Sequence, residues 1–353
     1  MVVFLTGAAG LLGGAIAHDL VRRGHSVIGL THRDSAIRGN DGTALDAAPF
    51  TGTIAPHGEV RTLKGDVTLP DLGLDEAMLT ALINATQCVI HCAALVKFEA
   101  DFADLEAVNV SGTKNLATLF RDARFVHVST AYTCGVFEGV IEEHLHDPEG
   151  GFANGYERSK ALAEGELLAI RPDAIIARPS IILGEHKSGR IRSFDTIYAA
   201  FKLIAEGRIK HVPVATGASL NFVPIDHVVD GTVALALANE AGPHIVHLVA
   251  RKAIATERFL AVIKETPGLN SPEITRPDET APKPANMMQR LVQPYLSYFT
   301  RSPEFETRAL ARLTGIESPD MDEADLANHI AFCVETGFIK PRGAGCGAQR
   351  ISG

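Results

Sequence analysis

The chain has 353 residues, 46% of them hydrophobic and 21% charged, as expected of a globular protein with one large or two modest domains. Its formal net charge of −9 argues against general nucleic-acid binding, and no apolar stretch is long and pure enough to predict a transmembrane segment. Five cysteines without a CxxC pairing favour a reducing, cytoplasmic setting over a disulfide scaffold.

Up to about residue 180, short β-branched runs alternate with segments of helical spacing. The apolar residues of each run are nearly continuous, which is typical of parallel strands covered on both faces. The pattern predicts an α/β fold with a doubly wound parallel sheet of the Rossmann type. Its strands are predicted at residues 2–6, 26–31, 87–92, 125–129 and 174–178.

Beyond residue 180 the alternation is less regular. The spacing predicts a loop over 181–193, a helix over 194–206, a helix beginning at Pro224, a strand over 244–249 and a surface loop over 272–284. We therefore expect a dinucleotide-binding domain over 1–180 that also receives 223–250. A smaller mixed substrate-binding region is expected over 181–222 and 251–342, followed by a disordered tail over 343–353.

A glycine-rich turn follows the first predicted strand and leads into a predicted helix. Glycines let the backbone approach a pyrophosphate, and the helix N-terminus offers free N–H groups. The strand before the turn and the helix after it favour a dinucleotide site over a purely structural turn. The expected contacts are Thr6, Gly7, Gly10, Leu11, Leu12 and Gly13.

The end of the second strand, Thr31-His32-Arg33-Asp34, bears on the choice of dinucleotide. An acidic residue there binds a ribose 2′-hydroxyl, whereas a basic one suits a 2′-phosphate. Thr31 stands where the acid is expected, and His32 and Arg33 follow it. The sequence therefore favours NADP over NAD. NAD stays open, because Asp34 is the ribose acid if the register differs by a few residues.

Asp66 and Val67 follow a short strand and precede a polar turn. Asp66 either accepts a hydrogen bond from an adenine amine or caps the next helix. Spacing alone does not decide between the two interpretations.

Ser129 and Thr130 come at the end of the strand predicted over 125–129. The carboxyl ends of central strands face the ligand crevice of such sheets, so both hydroxyls are candidates for binding a carbonyl oxygen. The alternative is that both make only local backbone hydrogen bonds.

Tyr156 and Lys160 are four residues apart on a helix that Asn154 and Glu157 are spaced to cap. An ammonium on the same face lowers the pKa of a tyrosine, which is otherwise about 10, so the pair suits proton transfer near neutral pH. Joined to a dinucleotide site, the pair indicates hydride-transfer chemistry.

These motifs together resemble the extended short-chain dehydrogenase/reductase superfamily, and the resemblance covers most of the chain. Within it, the chain is most similar to the thioester-reductase and fatty acyl-CoA reductase branch, the male sterility NAD-binding domains. The runs that carry the resemblance are 92–94, 128–132, 151–160, 178–184 and 221–226.

The resemblance implies a Thr130–Tyr156–Lys160 triad in which Tyr156 is the proton donor and Lys160 binds the nicotinamide ribose. It also implies that Asp66 and Val67 flank the adenine and that Asn109 helps to order the active site. Further contacts with the cofactor are implied for Ala93, Ala94, Ser129, Pro179, Ser180 and Ile181. No metal is implied, and homodimers are common in the superfamily.

We therefore expect NADPH-dependent reduction of an acyl thioester, with a coenzyme A ester or an acyl carrier protein as partner, to an aldehyde or alcohol. The alternatives are a ketone or aldehyde reductase, or a hydroxyl dehydrogenase, on a small lipid- or polyketide-like substrate. A sugar-nucleotide epimerase or dehydratase and a cofactor-binding regulator without turnover are further alternatives. The aromatic segment over 287–300 is either a lid over an acyl chain or part of the core.

Overall fold

The computed structural model describes residues 1–32, 34–55, 57–147, 150–195, 197–240, 242, 244–277 and 295–341. Its strands are, in chain order, β1 Val2–Thr6, β2 Ser26–Thr31, β3 Ala48–Pro49, β4 Val60–Lys64, β5 Cys88–His91, β6 Arg124–Val128, β7 Gly139–Ile141, β8 Ile175–Pro179, β9 Ile181–Leu183, β10 His211–Pro213, β11 Ser219–Leu220, β12 Phe222–Pro224, β13 His244–Leu248, β14 Ile254–Ala255, β15 Glu273–Thr275 and β16 Pro303–Phe305.

Its α-helices are α1 Leu11–Arg22, α2 Glu76–Ala85, α3 Phe102–Leu105, α4 Gly112–Leu119, α5 Gly155–Ile170, α6 Ile197–Ala205, α7 Ile225–Leu237, α8 Thr256–Glu265, α9 Arg308–Thr314 and α10 Glu323–Glu335. A π-helix, Glu106–Ser111, joins α3 to α4, and short 3₁₀ helices span Ala131–Cys134 and Ser297–Thr300.

Among the described residues, eight strands form one parallel sheet in the order β13-β8-β6-β5-β1-β2-β4-β3. The chain leaves β1 towards β2 on one side and returns to β5 on the other, so the carboxyl ends of β1 and β5 flank the crevice where such sheets bind ligands. The predicted doubly wound fold is confirmed, and each of the five predicted strands is observed to within one residue at either end.

Alternate residues of the sheet pack into two separate cores, because successive side chains of a strand point to opposite faces. In β1, Val3 and Leu5 join the core beneath α1 and α7, whereas Val2 and Phe4 join the core beneath α2, α4 and α5. Burial on both faces accounts for the near-continuous apolar runs.

The second half of the chain builds a third core that adjoins the carboxyl edge of the sheet. Here the prediction of a loop over 181–193 is wrong at its start, because Ile181–Leu183 pairs in parallel with Phe222–Pro224. The loop predicted over 272–284 is likewise wrong at Glu273–Thr275, which pairs with His211–Pro213. Local spacing does not reveal such short strands, since their partners lie far along the chain. Residues 278–294 and 342–353, with the rest of that loop, most of the predicted lid and the predicted tail, lie outside the described residues.

The two helices and the strand predicted for this half are confirmed. Helix α6 lies within 194–206, Pro224 is the N-cap of α7, and β13 covers the predicted strand. No helix in the described ranges is both long enough and apolar enough to cross a bilayer.

Candidate active site

The glycine-rich turn between β1 and α1 adopts a conformation that side chains would block. Gly7 has a φ of +69°, and a Cβ there would lie 2.8 Å from the Ala93 nitrogen. A Cβ on Gly13 would overlap the Gly7 carbonyl oxygen. Gly10, the N-cap of α1, provides no side chain to occupy the free N–H groups of the first turn. The turn therefore leaves backbone donors and a positive helix end for an anionic group.

A chain of buried hydrogen bonds ties this turn to its neighbour across the sheet. The Ala93 N–H donates to Thr6 Oγ1 at 3.2 Å, and Thr6 Oγ1 lies 2.7 Å from His91 Nδ1. His91 Nε2 lies 3.1 Å from Thr113 Oγ1, which donates to the Asn109 carbonyl at 2.6 Å. Because the Thr113 hydroxyl donates to Asn109, it accepts from His91, so the imidazole carries a proton on Nε2. Burial, with a smaller contribution from Lys160, lowers the pKa of His91 to about 3 and so keeps it neutral.

Asn109 is fully buried in the π-helix and links two segments of the site. Its Oδ1 accepts from the Leu95 N–H at 2.8 Å, and its Nδ2 donates to the Leu95 carbonyl at 3.2 Å and to Ser159 Oγ at 2.9 Å. The amide thereby fastens the segment after β5 to α5, the helix that carries Tyr156. Such π-turns are frequent at functional sites, and the ordering role implied for Asn109 remains a prediction.

The end of β6 brings two hydroxyls to the crevice. Ser129 Oγ is buried and has no hydrogen-bond partner among the described residues. Thr130 Oγ1 donates to the Pro179 carbonyl and accepts from the Tyr132 N–H, both at 3.4 Å. Both Thr130 contacts are longer than an ordinary hydrogen bond, and Ser129 Oγ makes none among the described residues, so each hydroxyl retains capacity to bind a ligand.

Helix α5 begins where Asn154 caps it, by accepting from the Glu157 N–H at 2.9 Å, as predicted. Tyr156 therefore lies in the first helical turn, beside the crevice. Burial raises the pKa of the Tyr156 phenol, and the nearby Cys92 and Glu157 raise it further. This direction is opposite to the lowering by Lys160 that the spacing predicts. The raised pKa keeps the phenol protonated, which is the form of a proton donor.

Lys160 lies one turn further along α5 and is fully buried. Its Nζ donates to the Val128 carbonyl at 2.8 Å and to His127 Nε2 at 3.0 Å. These contacts turn the ammonium towards β6, which is why its charge does not lower the pKa of Tyr156. Burial lowers the pKa of Lys160 to about 8, against the opposing effects of Glu164 and Cys92.

One cavity of about 520 Å³ joins the glycine-rich turn to the hydroxyl groups and to Tyr156. Many of the residues that the sequence indicates line its wall: Gly7, Gly10, Leu11, Leu12, Gly13, Ala94, Ser129, Thr130, Tyr156, Pro179, Ser180 and Ile181. The cavity thus brings a dinucleotide turn and a proton donor within one space.

The remaining predicted residues do not line this cavity. Thr6, Ala93 and Lys160 support it from behind through the hydrogen bonds described above. Asp66 and Val67 are not part of the cavity wall, and His32 Nε2 is 3.8 Å from Asp66 Oδ2. Arg33 lies outside the described residues.

The prediction that Asp66 caps a helix is wrong. Its carboxylate accepts from the N–H and hydroxyl of Thr68, while Asp75 is the N-cap of α2. The cap comes later because eleven residues separate β4, which ends at Lys64, from α2, which begins at Glu76. This correction does not affect the prediction that Asp66 contacts the adenine.

Five aromatic rings form part of the cavity lining, which we call the aromatic wall. Phe98 lies against Tyr156, Tyr295 and Tyr298, with ring centroids 4.9 to 6.0 Å apart, and Tyr132 meets Tyr298 edge-on at 4.7 Å. All five rings line the cavity. Sequence reasoning named Tyr295 and Tyr298 only as lid or core and did not find Phe98. The sequence did offer one signal, since Phe98 comes four residues after Ala94, a predicted cofactor contact.

The arrangement fits a dinucleotide with a reactive ring near Tyr156. The glycine turn provides a cradle that any Cβ would fill, and Ser129 provides an unpaired buried hydroxyl. Within the described ranges, no group of three or more His, Cys, Asp or Glu side chains is arranged to hold a metal ion.

Comparisons with known proteins agree with this geometry. The model of a family described as male sterility protein, an NAD-binding family, matches residues 5–232. L-2-aminoadipate reductase of Schizosaccharomyces pombe is 27% identical over 76% of this chain and 20% of its own length. Fatty acyl-CoA reductase 1 of Gallus gallus is 29% identical over 50% of this chain and 41% of its own length. Across eight of the curated relatives that it matches, these two included, the chain spans 4% to 54% of the relative's length.

Solved structures share the fold. The terminal R domain of the myxalamid PKS-NRPS biosynthetic pathway superposes with a TM-score of 0.79 at 21% identity, over 96% of this chain and 92% of that one. MoeE5, solved with UDP-glucuronic acid and NAD, superposes with a TM-score of 0.68 at 19% identity, over 95% of this chain and all of that one. Together with this shared fold, the family match identifies the family of the chain. The chain belongs to the NAD-binding family described as male sterility protein, and it shares the fold of the R domain and of MoeE5.

Proposed function

We propose that the chain reduces an acyl thioester, carried by coenzyme A or by a carrier protein, with NADPH as the reductant. The observation that carries the proposal is that Tyr156 and Thr130 line the same cavity as the glycine-rich turn. Two matched relatives are named as reductases, one of them of fatty acyl-CoA. One structure that shares this fold is the terminal R domain from a PKS-NRPS biosynthetic pathway.

Tyr156 and Thr130 act on the carbonyl oxygen of the substrate. NADPH, when bound, supplies the hydride. The protonated Tyr156 phenol donates a hydrogen bond to the oxygen and then its proton, while the Thr130 hydroxyl donates a second hydrogen bond. Both donors stabilise the negative charge that develops on the oxygen, and the raised pKa of Tyr156 keeps its proton available at neutral pH.

Lys160 supports this step from behind Tyr156. Its ammonium, held by the Val128 carbonyl and His127, is a positive charge on the same face of α5. A positive charge at the end of β6, next to Ser129 and Thr130, favours the negative charge that develops on the substrate oxygen. We also assign Lys160 to the ribose hydroxyls next to the nicotinamide.

We assign the remaining cofactor contacts by position along the crevice. The pyrophosphate belongs at the glycine-rich turn, and Pro179, Ser180 and Ile181 belong against the nicotinamide. Asp66 and Val67 belong beside the adenine. His32 and Arg33 favour the 2′-phosphate of NADP, since the buried Thr31 stands where an acidic residue would bind a 2′-hydroxyl.

The substrate group would lie against the aromatic wall. Two rings of this wall, Tyr295 and Tyr298, come from the region 251–342, and a further lining residue, Tyr198, comes from the region 181–222. We assign both regions to substrate binding. The apolar faces of these rings suit an acyl chain or another hydrophobic group next to the carbonyl. A homodimer and a cytoplasmic location remain predictions from the sequence.

An NADPH-oxidation screen tests the proposal. Purified protein is assayed side by side with acyl-CoA esters, acyl-pantetheines, aldehydes, ketones and nucleotide sugars, and products are identified by mass spectrometry. We expect thioesters to release free thiol together with aldehyde or alcohol. Turnover of ketones or aldehydes without any thioester turnover would refute the thioester as substrate while retaining the reductase.

The main alternative is a ketone or aldehyde reductase. The same donors would serve a carbonyl without a thiol leaving group, and the aromatic wall suits a lipid-like or polyketide-like substrate equally well. Free thiol is the product that separates the two, because only a thioester releases it.

A further inference from the structure

Arg301, far from the catalytic motifs in sequence, forms a buried ion pair with Glu157, the residue that follows Tyr156. Its Nη2 donates to Glu157 Oε1 at 2.8 Å, and its Nη1 to Glu157 Oε2 at 3.2 Å. Nη1 also donates to the Gly135 carbonyl at 2.9 Å. Neither side chain is exposed by more than 6%. Two parallel contacts hold a carboxylate in position and orientation, which a single contact does not.

Glu157 transmits this constraint to the first turn of α5. Its backbone N–H is bonded to the Asn154 cap, and its Oε2 accepts from the Ala153 N–H at 3.3 Å. The Arg301 guanidinium is therefore anchored, through one carboxylate, to the turn whose backbone orients Tyr156.

The same guanidinium lies between two rings of the aromatic wall. Its centre is 4.5 Å from the Tyr298 ring centroid and 5.1 Å from that of Tyr132. Burial raises the pKa of Tyr298, and the Glu157 carboxylate raises it further, so the hydroxyl stays protonated beside the pair. One cation thus contacts both Glu157, in the turn that carries Tyr156, and two other rings of the aromatic wall.

We propose that Arg301 is a positioning residue that, through Glu157, sets the orientation of Tyr156 relative to the aromatic wall. This inference rests on the proposed role of Tyr156 as proton donor. A misplacement of about 1 Å costs about 100-fold in turnover, so the pair controls turnover although it touches neither substrate nor cofactor.

Arg171 provides a matched control at the other end of the same helix. It is also buried, donates to the carbonyls of Phe120 and Ala123, pairs with Asp173 and lies over the Phe125 ring. It is the C-cap of α5, about 22 Å from the first turn at 1.5 Å per residue. Removing Arg171 therefore perturbs the helix without disturbing the turn that carries Tyr156.

The experiment compares Arg301→Met, Glu157→Gln, their double variant, Arg171→Met and Tyr156→Phe. Steady-state rates are measured with any carbonyl compound that the wild type reduces, and NADPH affinity by fluorescence. Hydrogen exchange of peptides covering 153–160 gives a readout that needs no substrate. We expect Arg301→Met to lower kcat by about 100-fold, with NADPH affinity near wild type and faster exchange in this peptide. Glu157→Gln should act in the same direction, and the double variant should lose no more than the worse single one, because both remove one interaction.

Arg171→Met should lower the melting temperature but keep kcat and the exchange of 153–160. If Arg301→Met does not fold, the positioning role is tested with Glu157→Gln alone, because this substitution preserves the side-chain volume. Wild-type kcat and exchange in both Arg301→Met and Glu157→Gln, with Tyr156→Phe inactive, would overturn the positioning role alone. Wild-type turnover in Tyr156→Phe would instead overturn the proposed proton donor.

Discussion

Lys160 Nζ lies 3.0 Å from His127 Nε2, a contact between two buried side chains behind the active-site cavity. An ammonium has no acceptor, so the imidazole must offer a lone pair and carry its proton on Nδ1. Burial, then Lys160 and His91, keeps the pKa of His127 well below its ordinary value. The lysine charge is thereby held at the end of β6, next to Ser129 and Thr130.

The pH dependence of catalysis should follow the protonation state of Lys160. Because burial lowers the pKa of Lys160 to about 8, its charge is present below that pH and lost as the pH rises through it. We expect kcat/KM for NADPH, which reports the free enzyme, to fall above about pH 8. Lys160→Arg, which keeps the charge, should move the fall to higher pH. A flat profile up to pH 10 in the wild type would contradict a catalytic Lys160 ammonium.

Tyr156→Phe should lower turnover by about 10²- to 10⁴-fold, because it removes the proton donor. NADPH binding, measured by fluorescence titration, should stay nearly intact since the ring remains. The same substitution at Tyr295, whose ring lies 4.9 Å from Phe98, should cost far less. A Tyr156→Phe enzyme that turns over at the wild-type rate would remove Tyr156 as the acid.

Gly13→Ala should abolish NADPH binding and lower stability, because the added methyl group overlaps the Gly7 carbonyl. Gly165→Ala is its control, since a Cβ at this position in α5 meets nothing within 4 Å. That substitution should stabilise the protein by about 0.5 to 1 kcal/mol. Urea unfolding and fluorescence titration measure both effects. Normal cofactor binding by Gly13→Ala would rule out the turn as the pyrophosphate site.

Arg33→Ala should weaken NADPH more than NADH, by about tenfold, the effect of roughly 1.4 kcal/mol from a lost contact with a phosphate. Arg258→Ala removes the same charge at an exposed pair with Glu323, so it controls for net charge. The dissociation constants of both variants for NADPH and for NADH measure this difference. An equal loss for NADPH and NADH would refute the 2′-phosphate role.

The parts of the molecule that could be predicted are those encoded by local patterns. The glycine turn, the Asn154 cap and the strands of the sheet depend on residues within a few positions of one another. Thr130 and Tyr156 could be placed at the crevice because strand ends and a helix start are local features. A doubly wound sheet then brings those ends to one edge.

The parts that could not be predicted depend on contacts between distant residues. The direction of the Lys160 side chain is set by His127, 33 residues away, and spacing along α5 does not reveal it. Phe98, Tyr132 and Tyr298 meet only in the folded chain. Arg301 and Glu157 are 144 residues apart, and Arg301 belongs to no recognisable motif.

Strand β13 limits where the chain can be shortened. The family match ends at residue 232, yet His244–Leu248 still pairs with β8 along its whole length. A chain shortened at the family boundary would leave β8 as a bare outer strand, with unpaired N–H and C=O groups from Ile175 to Pro179. Such edges recruit strands from other molecules. Shortened proteins ending before residue 249 should therefore aggregate on expression, whereas those that retain β13 should remain dispersed.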